Sequence, residues 1–104
     1  MTEDDYLQWA LSNKSAEPTI QSVISMIRLA PDDTRGKDWL MLELMPILYQ
    51  RHLSTALCRI AQQPTIAYGI WVRPPLVRLV FDMVCTIITQ GEHRQLAAGA
   101  DSGN

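Results

Sequence analysis

The side chains able to do chemistry are few in this 104-residue chain, and their spacing is poor for most of it. Two histidines and two cysteines are the metal-ligating set. His52 and Cys58 are six residues apart, which sets them on different faces of one helix, while Cys85 and His93 are eight apart, about 12 Å along a helix. Tetrahedral zinc needs its ligands within about 2.3 Å of one point and normally draws them from short paired spacings. No metal site is expected. Glu43 sits in an apolar run, where a buried acid could form, but the polar side of its helix is the simpler position for it. The chain has no nucleophile elbow, phosphate loop or dinucleotide fingerprint, and its five glycines are scattered. Catalytic and cofactor-binding residues are therefore expected to be absent, with no small-molecule substrate.

Binding is the remaining chemistry. Tyr68, Trp71 and Arg73 lie close together and belong to the residue types that dominate protein contacts. They precede a segment carrying Leu76, Val80, Phe81 and Val84, and these seven residues form the expected protein-interaction set. Arg51, Arg59, Arg73 and Arg78 support an alternative, a small helical nucleic-acid-binding regulator. Charge weighs against it, because binding of that kind displaces counterions with clustered cations. Residues 39–104 carry five arginines against four acids, and the whole chain has a formal charge of −2.

The elements that must position these residues are helical. Thr2 followed by Asp5 forms a capping-box pattern, so a first helix is predicted over 3–12, with Tyr6, Leu7, Ala10 and Leu11 on one face and Trp9 at its edge. Pro18 suits the first turn of a second helix, whose core stripe is Ile20, Val23, Ile24 and Ile27. Residues 31–38 have turn composition, with Asp38 a candidate N-cap. The stretch 39–62 is helix-forming but should kink or break near Pro46. In it Leu40, Leu44 and Leu48 make one apolar ridge, and Leu42, Met45, Tyr49 and Leu53 a second.

Residues 65–72 alternate like a strand, yet with no obvious partner they read better as a short helix or an extended connector. From Pro75 to a stop at Gly91 a last helix is apolar around nearly its whole girth, relieved only by Arg78, Asp82, Thr86 and Thr89. Such a helix must be covered on nearly all sides, by the rest of the fold or by a partner or second copy.

These readings give an all-α compact bundle of four to six helices, with a single domain over 1–96 and a flexible tail over 97–104. Both cysteines are expected to be buried free thiols. The acidic start, Glu3, Asp4 and Asp5, is unlike a secretory signal, and arginines, Asp82 and prolines interrupt the one long apolar stretch. A cytoplasmic protein with no membrane contact is expected, acting as an adaptor, assembly chaperone or inhibitor that buries an apolar, aromatic surface against a protein partner or in a homodimer.

Overall fold

The computed structural model describes residues 1–63, 66, 67 and 69–102, without the side chains of 66, 67, 70, 71, 93 and 95–102. The fold is all-α. Helix α1 (Glu3–Ser12) starts on the predicted capping box, in which the Asp5 N–H donates to Thr2 Oγ1 at 3.2 Å and the Thr2 N–H to Asp5 Oδ2 at 3.4 Å. Helix α2 (Ile20–Leu29) begins two residues after Pro18 because Thr19 and Ser22 cap it reciprocally. It buries Val23, Ile24, Met26 and Ile27.

The C-terminus of α2 is sealed by distant side chains. In a helix the last four carbonyls lack intrahelical donors. Here the buried Tyr6 hydroxyl donates to the Met26 carbonyl, the Ala30 N–H to Ile27, and the Lys37 ammonium to the carbonyls of Arg28 and Ala30 and to Asp32. Lys37 is 8% exposed; those acceptors and its position at the negative end of α2 account for burial of a charge. It leads α3 (Lys37–Trp39). Gly36, at φ +87°, makes the turn into α3, so Asp38 lies inside the helix and does not cap it.

The rod then widens into a π-helical turn (Leu40–Leu44) and continues as α4 (Met45–Tyr49). The cause is Pro46, which has no N–H and whose ring would strike the carbonyl four residues back in a regular helix. The Met45 N–H instead reaches five residues back, to Leu40. This is the predicted irregularity near Pro46. A complete break follows at residues 50–52, where Arg51 takes φ +62° and the N–H groups of Arg51 and His52 donate to the carbonyls of Leu48 and Ile47 at 3.0 and 3.2 Å. That is a Schellman cap with arginine in the place usually held by glycine.

Helix α5 (Leu53–Gln62) buries Ala56 and Ile60, but Cys58 is exposed, contrary to expectation; it falls on the side of α5 away from the core. Both cysteines are free thiols, and half-buried Cys85 has its pKa raised by desolvation and by the nearby Asp82 charge. The stretch 65–72, expected to be a short helix or an extended connector, contains two paired strands instead, with 65 and 68 outside the described residues. Strands β1 (Ile66–Ala67) and β2 (Ile70–Trp71) form a two-residue antiparallel ladder, Ile66 opposite Trp71 and Ala67 opposite Ile70, near Gly69 at φ +77°.

Helix α6 (Pro75–Ser102) runs through Gly91 where a stop was expected, since nothing following it in the chain terminates helical hydrogen bonding there. Residues 103 and 104 of the expected tail lie outside the described residues. Leu76, Val77, Leu79, Val80, Met83 and Val84 are all buried, packed by α1, α2 and α5. The fold thus shields one side of this girth, while Phe81, Cys85, Ile87 and Ile88 are only half-buried.

Candidate protein-contact site

The sequence-predicted contact residues divide. Leu76, Val80 and Val84 are 0% exposed core residues, packed under α2 and α5, and so are withdrawn from any contact surface. Phe81 is half-buried, with the Arg73 guanidinium 5.6 Å from its ring centroid. Arg73 is occupied further: its Nε donates to the Ile60 carbonyl and an Nη to Ala61, both at 3.3 Å, which caps the end of α5. Arg73 therefore clamps α5 to α6. Tyr68 lies outside the described residues, as does the Trp71 side chain.

The four arginines of the nucleic-acid reading are also divided. Arg59 pairs with Glu43 at 3.3 Å, on the polar side where Glu43 was expected, and Arg73 is spent as above. Arg51 and Arg78 are exposed and form no ion pair among the described residues. That leaves no cationic cluster built from these four.

Exposed large apolar side chains include Trp9, Leu11 and Leu29 on α1 and α2, Leu11 contrary to its expected place on the core face, and a group on the rod that was expected to be core. Its first ridge is as predicted, Leu40, Leu44 and Leu48 being fully buried. Its second ridge is split: Met45 is buried, whereas Leu42 is 75% and Tyr49 56% exposed. Ordinary helical spacing accounts for the split: at about 100° per residue Leu42 and Tyr49 fall nearly opposite the buried ridge, while Met45 falls nearer to it. Leu42, Pro46 and Tyr49, spaced four and three apart, form one outward face, and Met41 flanks it. The available signal was the angle between the two ridges, which places Leu42, Pro46 and Tyr49 on the side of the helix away from Leu40, Leu44 and Leu48.

Tyr49 also lines a cleft of about 200 Å³ between the start of α2 and the end of α4. Thr19, Gln21 and Arg51, its one charge, give it a mainly polar lining, with Ile20 partly exposed and Ile24 and Leu48 buried beneath. The apolar face and the cleft meet at Tyr49. Among the described residues no group of three or more His, Cys, Asp or Glu side chains could hold a metal, and no helix is long and apolar enough to cross a membrane.

No family model, curated relative or solved structure matches this chain.

Proposed function

We propose that this is a protein-binding domain, an adaptor, assembly chaperone or inhibitor of the cytoplasm, whose contact surface is the outward face of the rod. The observation that carries the reading is the row Leu42, Pro46 and Tyr49, exposed side by side and continuous with the cleft at Tyr49. These three are neighbours on one helix face, and contiguous exposed apolar patches mark contact sites. Tyrosine and arginine are enriched among residues that carry binding energy, and Tyr49 and Arg51 stand together here. This reading places the surface on the rod and leaves α6 as its support.

The test is photo-crosslinking in the source cell, with a photoreactive side chain at position 42 or 49 and, as control, at exposed Lys14. Discrete protein adducts from 42 and 49, absent from 14, are expected. Adducts to nucleic acid alone, or none, would refute it.

A further inference from the structure

Resting on that protein-binding reading, we infer that the partner seated on the rod is a second copy of this chain. The two rods lie antiparallel about a two-fold axis, so that Leu42 of each copy meets Tyr49 of the other and Asp38 of each faces Arg51 of the other. An interface of this symmetry uses one patch twice, so the patch must complement itself. The rod face does so in its apolar row and in the charges that bound it.

Leu42 is 75% and Tyr49 56% exposed, with exposed Pro46 between them and Met41 beside them. An axis midway between Leu42 and Tyr49 lays the leucine of each copy on the phenol ring of the other and brings the two prolines to the centre. Opposite charges stand at the two ends of this row. Asp38 is four residues before Leu42, about one helical turn, and Arg51 is two residues after Tyr49. Both are exposed, and neither forms an ion pair among the described residues. The same axis therefore brings each aspartate to the arginine of the other copy, and the offset of two residues, about 3 Å at helical rise, is within the span of an arginine side chain. Other occupants fit less well. A nucleic-acid strand would press its phosphates on Asp38, and a uniformly acidic or basic protein would meet like charge at one end of the row. A parallel pair would set aspartate on aspartate.

The test is sedimentation equilibrium of the full chain at about 50 mM salt, where surface charges are weakly screened. The face is small, so a reversible dimer with Kd on the order of 100 μM is expected. Asp38→Arg and Arg51→Asp should each dimerise about tenfold more weakly, because two attractions become two repulsions. Mixed in equal amounts, the two variants should pair with one another about as tightly as the wild type, since each supplies the charge that the other has lost. Aspartate is among the residues that tolerate the φ of +62° at position 51. Leu42→Ser, which keeps both charges, should also weaken the dimer by about tenfold. A wild type that stays monomeric at about 1 mM, ten times that Kd, or a dimer indifferent to Leu42→Ser and to the charge exchange, would overturn the inference. Should a charge variant fail to fold, the wild type and Leu42→Ser decide. A monomeric chain that still gives adducts to other proteins from 42 and 49 would remove this inference alone; the absence of any protein adduct would remove the protein-binding reading and this one with it.

Discussion

Substituting Tyr6 by phenylalanine removes one oxygen and tests how α2 is terminated. The Tyr6 ring is 1% exposed, and its hydroxyl donates to the Met26 carbonyl, whose usual helical donor, the Ala30 N–H, is turned to Ile27. Without the hydroxyl that buried acceptor has lost its donor, at a cost of about 2 kcal/mol. For a chain of this length the unfolding entropy converts that into a melting temperature lower by roughly 9 °C. A second consequence is a pH dependence. Burial raises the Tyr6 pKa from 10.0 to about 12, so the folded state keeps the phenolic proton where the unfolded state releases it. The contribution is complete below pH 10 and falls as pH rises from 10 to 12, by about 1.4 kcal/mol per unit and about 2.7 kcal/mol in all. Thermal unfolding at pH 8 and urea unfolding at pH 8, 10 and 11 on wild type and Tyr6→Phe measure both effects, the variant being the control for lysines that titrate in the same range. Equal melting temperatures at pH 8, or an alkaline slope shared by the two proteins, would show that the hydroxyl does not seal α2.

Gly36→Ala should destabilise by about 3 kcal/mol in denaturant unfolding, since an added Cβ would stand 2.7 Å from Val77 Cγ2 and 3.3 Å from Pro74 Cβ at φ +87°; Gly69→Ala, at φ +77° in open space, should cost only about 1 kcal/mol. Arg51→Gly relieves the left-handed backbone and should stabilise by about 1 kcal/mol in the same assay, a gain that a merely flexible linker at 50–52 would not show. Lys37→Met removes the donor to two carbonyls and should cost about 2 kcal/mol, whereas Asp32→Asn, on a fully exposed side chain, should leave the thermal midpoint unchanged.

The fold was readable wherever local pattern and burial agree. The box at Thr2 and Asp5, the stripe through Val23, Ile24 and Ile27, and the ridge of Leu40, Leu44 and Leu48 are consequences of near-neighbour spacing, and each is present. What escaped depends on distance along the chain. Nothing local ties Tyr6 to Met26 or Lys37 to Arg28, because a helix end satisfied from 20 or nine residues away leaves no short motif. The apolar girth of α6 was legible as a demand for cover, but not its source, since Phe81, Cys85 and Ile88 are only half-buried while Leu76, Val80 and Val84 vanish into the core. The candidate site was misplaced. Composition drew attention to Tyr68, Trp71 and Arg73, whereas the exposed row of Leu42, Pro46 and Tyr49 is picked out only by its angle from the ridge of Leu40, Leu44 and Leu48.

That wide turn behaves like a single inserted residue lodged in the rod. Deleting one residue between positions 40 and 44 would take away the extra length that the turn absorbs and bring the Pro46 ring against the carbonyl of the turn before it, so the rod would kink at the proline. The rod thus tolerates substitution along its outer side far better than any loss of length, and an in-frame codon deletion there should be among the most damaging small lesions the gene can suffer.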